Sequence, residues 1–198
     1  MNSNLSKVES PPIDYFNHLL DKVDTNNKKI SFGHGIPRYT PNEYANIDFK
    51  MFDDSNTFKY TDIRGDIKLR NYLAESLSKK LNFNVNPDEN LIITPGANSA
   101  IFKSLFLLLN KNDEVLVISP VYFNYIMAIK MIGANPIEIS SDPESGFQLN
   151  IDNIADSITH KTKAIIINSP NNPTGAVYEN NDLEKLFKLC KLKNIKVI

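Results

Sequence analysis

Three short segments of the chain carry residue types that can hold a ligand. Residues 169–175 read Ser169-Pro170-Asn171-Asn172-Pro173-Thr174-Gly175. The two prolines fix backbone torsions and restrict the residue before each, so the amides between them stand on a stiff support. A side-chain amide held in this way suits a single hydrogen bond of fixed direction. Residues 94–99, Thr94-Pro95-Gly96-Ala97-Asn98-Ser99, lead directly into an apolar, helix-like stretch. The first turn of a helix leaves N–H groups unpaired and carries partial positive charge, so a phosphate binds there without a basic side chain. Gly96 permits close backbone approach, and Asn98 and Ser99 add side-chain donors. Residues 119–125, Ser119-Pro120-Val121-Tyr122-Phe123-Asn124-Tyr125, place aromatic rings just after an apolar run. A ring there can stack on a flat heteroaromatic ligand. Each segment also has a plain structural reading: a strand-to-helix turn, packing of Tyr122, Phe123 and Tyr125, and a tight turn.

The usual nucleotide signatures are absent. Gly33 and Gly35 supply only the first pair of a Gly-x-Gly-x-x-Gly turn, and no glycine is followed by Lys-Ser or Lys-Thr. This weakens the reading as a Rossmann-like nucleotide domain and points to a phosphorylated ligand of another kind.

Alternating strands and helices must position these segments. Residues 1–12 read as an arm, 13–23 as a short helix, and 31–61 as loop with short elements. Leu69, Leu73, Leu77 and Leu81 recur every four residues and predict a helix with that stripe as its apolar face. Apolar runs at 91–94, 114–119, 135–139, 163–169 and 195–198 predict strands. Helices are expected at 97–109, at 122–132 with Gly133 as the stop, after Asn150 as a cap, and from Asn181 with Glu184 as a capping box. The last of these would bury Leu183, Leu186, Phe187 and Cys190. Such alternation, with nearly continuous apolar strands, predicts an α/β fold: a mostly parallel sheet flanked by helices on both faces. Ligands of such sheets bind outside the carboxyl ends of the strands, which singles out the loops after Thr94, Ser119 and Ser169.

Composition removes other classes. The 198 residues are 41% hydrophobic and 23% charged, with formal net charge −1. That is an ordinary globular balance, without the basic field that holds nucleic acid or an anionic membrane. The single cysteine, Cys190, forms no internal disulfide and no multi-cysteine zinc site. The first twelve residues lack the apolar core of a secretion signal, and no apolar stretch approaches the ~20 residues of a membrane-spanning helix. A cytoplasmic location is the expectation. The run 195–198 opens a strand at which the sequence stops, which suggests the first part of a longer protein or a truncated reading frame.

The string at 169–175 closely resembles the Asn-Pro-Thr-Gly signature of class I/II aminotransferases, which are fold-type I pyridoxal-phosphate enzymes. Its surroundings are similar to that family in order: Tyr60 with Gly65 and Leu69-Arg70, Thr94 to Asn98, Asp113-Glu114-Val115 through Ser119-Pro120 and Tyr122, and Thr162-Lys163-Ala164. The resemblance runs from about residue 31 to Ile198. It implies the N-terminal portion of such an enzyme, with an arm and small-domain segment at 1–45 and the cofactor-binding large domain, incomplete at its C-terminus, at 46–198. It implies pyridoxal 5′-phosphate as cofactor. Ala97 and Asn98 would hold the phosphate, Tyr122 would stack on the pyridine ring, and Asn172 would donate to the ring's phenolic oxygen. Gly35 would line the substrate carboxylate site. Tyr60 would reach the phosphate site of a neighbouring subunit in a homodimer. The substrates implied are an amino acid and a 2-oxo acid, with no nucleic acid and no membrane as partners.

The family also uses an Asp against the pyridine nitrogen, a Lys that bonds the cofactor covalently, and an Arg for the substrate carboxylate. None matches a position in these 198 residues; Lys161 and Lys163 do not fit. No catalytic residue is therefore assigned, and the chain alone is expected to be inactive. Two alternatives stand beside the aminotransferase reading: a non-catalytic truncated remnant, and part of a lyase of the same fold. His18, His34 and His160 match no catalytic position.

Overall fold

The computed structural model of the chain describes residues 3–23 and 60–198. Gly35 and most of the 31–61 stretch, with the expected boundary near residue 45, lie outside them. The chain forms two compact units, Met1–Gly33 with Ala97–Ile198, and His34–Gly96.

The first unit begins with a single 3-10 turn, Leu5–Lys7, and helix α1, Pro12–Lys22. Pro12 opens α1 at a position where its missing N–H costs nothing. After Ala97 the expected alternation appears: α3 Ala97–Leu108, β1 Glu114–Ser119, α4 Phe123–Ile132, β2 Asn135–Ser140, α5 Ile151–Asp156, β3 Thr162–Ile166, α6 Asn180–Leu192 and β4 Lys196–Val197. Helix α2, Ile67–Leu81, belongs to the other unit. Gly133 ends α4 with φ of 90°, a left-handed turn that closes bonds to Ile129 and Lys130 carbonyls. The Asn150 side chain accepts from the Asn153 N–H at 3.0 Å and caps α5 as expected.

The four strands are all parallel, in the order β2-β1-β3-β4. Strand side chains alternate between two cores. Val115, Val117, Ala164 and Ile166 face Leu105, Leu109, Tyr125 and Ile129 of the α3 and α4 layer. Leu116, Ile118 and Ile165 face Ile154, Leu186 and Cys190 of the α5 and α6 layer. Burial on both faces explains why these strands read as unbroken apolar runs. Full burial of Val115, Leu116, Val117 and Ile165 contributes about 2 kcal/mol each.

The order has a consequence for function. From β1 the chain crosses to β2 on one side through α4, then returns to β3 on the other side of β1 through α5. The loops leaving β1 and β3 thus diverge to opposite faces, and the carboxyl rim between them is the topological switch point of the sheet, where folds of this kind form their binding crevice. Helix α3 ends five residues before β1 begins, so it runs back along the sheet and its first turn returns to the same rim. Its length, about 18 Å, matches the ~20 Å of β1.

Four expectations are corrected. Residues 91–94 form no strand; Ile93 makes one backbone bond, to the Arg64 carbonyl at 2.8 Å, and joins no ladder. Gly65 supports that approach, since a Cβ at its φ of 103° would lie 2.5 Å from the Ile93 side chain. On α2 the leucine stripe is not the buried face: Leu69 and Leu81 are exposed, and the buried positions are Arg70 and Ala74. Arg70 is buried among a fixed set of acceptors, described below. The capping box at Asn181 does not form, because α6 starts one residue earlier, at Asn180 after Glu179, without a side-chain cap bond. Leu186 and Cys190 are buried on α6 as expected, whereas Phe187 is exposed.

Candidate functional site

The crevice between β1 and β3 is bounded by two of the segments singled out in the sequence. Residues 167–175 leave β3, and residues 120–122 leave β1 to enter α4. The neighbouring asparagines of the first loop do opposite things. Asn172 is exposed, and its side-chain amide has no hydrogen-bond partner among the described residues. Its backbone is held, because the Asn172 N–H donates to Asn168 Oδ1 at 3.1 Å. Asn171 is only 7% exposed and is fully engaged. Its Nδ2 donates to the Pro120 carbonyl at 3.0 Å and to Thr174 Oγ1 at 3.0 Å. Its backbone closes the turn, with Asn171 N–H to Ala176 O at 2.8 Å and Gly175 N–H to Asn171 O at 2.7 Å. Ser169 Oγ accepts from the Tyr178 N–H at 3.1 Å and fixes the far end of the loop. A free amide on a pinned backbone is what a directional donor requires.

Tyr122 stands at the N-terminus of α4, half-buried, with its ring packed on the α3 and α4 core. Asn124 Nδ2 donates to its hydroxyl at 2.6 Å. Tyr125 meets it edge-on at 5.5 Å between centroids, and Phe123 lies tilted at 5.0 Å. Of the three aromatics Tyr125 is core, and burial pushes its phenol pKa up. Tyr122 is the ring left at the rim with its position fixed by neighbours on two sides.

Ala97 and Asn98 open α3, both exposed. Asn98 lines a hollow of about 200 Å³ between the first half of α3 and α4, together with Phe102, Asn124 and Met127. That hollow is lined by neither Tyr122 nor Asn172; Asn124 on its wall bonds the Tyr122 hydroxyl, and the loops that carry Tyr122 and Asn172 are linked by the Pro120–Asn171 bond. The side chains of Asn98, Tyr122 and Asn172 do not hydrogen-bond one another among the described residues. Tyr60 is fully exposed, in the His34–Gly96 unit. Gly35 lies outside the described residues.

No lysine or arginine occurs in residues 94–99, 120–122 or 167–179. What these segments offer an anion is the N–H groups and the Asn98 amide of the α3 start. Lys161 and Lys163 come before or early in β3, at the opposite end of the strand from Ser169, and Lys163 Nζ donates to the His160 carbonyl. A larger hollow of about 450 Å³ lies beyond β2, lined by Asp142, Gln148, Asn150, Asp182 and Lys185. Two of its acids are engaged locally: Asp142 accepts from the Glu144 N–H, and Asp182 pairs with Lys185 at 2.9 Å. It contains none of the expected residues.

Sequence reasoning assigned no role to Asn171, Asn168 or Asn124. The available signal was the Asn-Asn doublet between two prolines, but which amide turns inward depends on the neighbouring loop. The donor set fits pyridoxal 5′-phosphate: a helix start with an adjacent amide for the phosphate, an aromatic face for the ring, and an unspent amide for an oxygen.

Comparison with known proteins agrees. The chain matches the family model "Aminotransferase class I and II" over residues 27–198. An aspartate aminotransferase of Sulfolobus acidocaldarius is 34% identical over 173 residues, 86% of this chain and 43% of that protein. A probable aspartate/prephenate aminotransferase of Aquifex aeolicus is 36% identical over 170 residues, 85% of this chain and 43% of the relative. Among solved structures, aspartate aminotransferase from Thermus thermophilus with maleate superimposes with a TM-score of 0.85 at 27% identity, covering 100% of this chain and 52% of that one. Aspartate aminotransferase from Thermotoga maritima gives 0.84 at 29% identity, again over 100% and 52%. The chain therefore spans about half the length of the proteins it matches. Over that half, fold and sequence agree, and the chain belongs to the class I and II aminotransferase family.

Proposed function

We propose that these 198 residues form the cofactor-holding part of an aminotransferase site, and that the polypeptide as given does not catalyse transamination unaided. The main support is the crevice at the switch point, whose two walls carry Tyr122 and Asn172. Asn98 and the first N–H groups of α3 hold the phosphate of pyridoxal 5′-phosphate. Tyr122 presents its ring to the pyridine face, held at its hydroxyl by Asn124. Asn172 donates to the phenolic oxygen and retains negative charge there. When bound, the cofactor supplies an electron sink that makes the Cα–H of an amino acid acidic. No loop at the carboxyl rim of β1, β2 or β3 carries a lysine, so none of these loops supplies an amine to bond the cofactor. The substrates of the parent reaction are an amino acid and a 2-oxo acid. Relatives are named for aspartate, prephenate and aromatic substrates, so the class alone is proposed. Assembly as a homodimer, with exposed Tyr60 contributing to a neighbouring site, belongs to the same reading.

The test is titration of the 198-residue chain with pyridoxal 5′-phosphate, followed by borohydride reduction and peptide mapping, alongside an assay with aspartate and 2-oxoglutarate. Saturable binding weakened by Asn98→Ala, Tyr122→Ala and Asn172→Ala, with no turnover, is expected. Turnover, or reduction trapping the cofactor stoichiometrically on one lysine, would refute the division of roles.

A further inference from the structure

The two loops that bound the crevice are joined by one side chain, Asn171. We propose that Asn171 is a positioning residue that sets the direction of the Asn172 amide by fastening the β3 loop to the Pro120 carbonyl of the β1 loop. This rests on the assignment of Asn172 and Tyr122 to the cofactor.

The geometry leaves little latitude. A carbonyl oxygen only accepts, so the atom of Asn171 at 3.0 Å from Pro120 O must be the NH2 group, which fixes the amide's orientation. Its second proton goes to Thr174 Oγ1, and the Ala176 N–H donates to that same oxygen at 3.2 Å. Both amide protons, the backbone N–H and the backbone carbonyl of Asn171 are therefore spent. Asn171 is buried and Pro120 is exposed, so a lost bond leaves the Pro120 carbonyl to water and releases the β3 loop from the β1 loop. Asn172 is the next residue along, restricted by Pro173 after it, and its one other hydrogen bond among the described residues is the backbone bond to Asn168. Pro120 lies two residues before Tyr122, so the same bond sets the spacing between amide and ring. Thr174 alone cannot do this, since it lies on the same loop as Asn172.

Asn171→Asp keeps the shape but sets a carboxylate oxygen against the Pro120 carbonyl; Asn171→Ala removes both donors. Neither touches the ligand directly in this reading. The probe is 4′-deoxypyridoxine 5′-phosphate, which has the ring, the phenolic oxygen and the phosphate but no aldehyde, so binding is independent of any lysine. Its 3-O-methyl ether serves as the control without the phenolic oxygen's charge. Calorimetric titration of the full 198-residue chain is expected to show Asn172→Ala weakening the probe about tenfold while leaving the ether nearly unchanged. Asn171→Ala and Asn171→Asp should reproduce that selective loss, and the Asn171→Ala/Asn172→Ala pair should be no weaker than Asn172→Ala alone. If Asn172→Ala loses affinity and Asn171→Ala binds as wild type, the positioning role is wrong while the cofactor assignment stands. Equal loss for probe and ether, or additive losses in the pair, also overturns it. If the wild-type chain does not bind the probe, or Asn172→Ala binds it normally, the cofactor assignment itself fails and the positioning role with it. Should the Asn171 variants not fold, proton exchange of the Asn171 side-chain amide in wild type decides the matter. Protection is expected, and exchange at the rate of a free asparagine refutes the bond.

Discussion

Arg70 offers the clearest quantitative test of how the His34–Gly96 unit is held. Its guanidinium is 1% exposed and donates to the Gly65 carbonyl at 3.1 Å, the Pro87 carbonyl at 2.6 Å and Asp88 Oδ1 at 2.7 Å. Asp62 lies 3.8 Å away as a second carboxylate. Hydrogen bonds from a charged donor contribute roughly 1.5 kcal/mol or more each, and loss of the donor also leaves the two carbonyls unpaired. The Asp88 contribution is discounted because that side chain is 55% exposed and regains water. Arg70→Ala is therefore expected to cost about 3–4 kcal/mol, including lost packing of the stem. Arg70→Met keeps the stem and isolates the polar part, at about 2–3 kcal/mol. Leu69→Ala, one residue earlier on the expected apolar stripe but 43% exposed, should cost less than about 1 kcal/mol. Native-state hydrogen exchange of the Ala74 and Leu77 amides reads this locally: a 3 kcal/mol loss accelerates exchange on the order of a hundredfold. A leucine variant that exchanges faster than the arginine variant would refute the claim that polar anchoring, not leucine burial, orients α2.

Two further measurements bear on protonation. Hydrogen bonds from the Arg64 side chain and then its backbone N–H hold the Asp62 carboxyl well below the usual carboxylate range. A depressed folded-state pKa gives stability that is present above the unfolded value of about 4 and lost as pH falls below it; the gap in urea stability between wild type and Asp62→Asn should narrow from pH 7 to pH 2, and a constant gap would contradict this. Cys190 is buried against the α6 side of the sheet and burial pushes its thiol pKa up; an aromatic disulfide reagent at neutral pH should modify it at least about a hundredfold more slowly in the native chain than in urea, and equal rates would place it outside the core.

Periodicity and turn chemistry act over a few residues, and what depends on them alone was legible in the sequence. The runs at β1, β2 and β3, the Gly133 stop, the Asn150 cap and the stiff loop holding Asn172 are all of this kind. So was the α/β class, because a parallel sheet covered on both faces leaves continuous apolar strands as its trace. Partner choice is a long-range property, and there local pattern misled or was silent. The 91–94 run has strand composition but no neighbouring strand to bond. The leucines of α2 repeat correctly, yet Arg70 takes the interior because Gly65, Pro87 and Asp88 converge on it. The strand order that opens the crevice between β1 and β3 is not written in any single segment. Of two adjacent asparagines, only contact with the Pro120 carbonyl decides that Asn171 turns inward and leaves Asn172 free. A side chain's chemistry is set by its type, but its availability is set by which distant group has already claimed its hydrogen bonds.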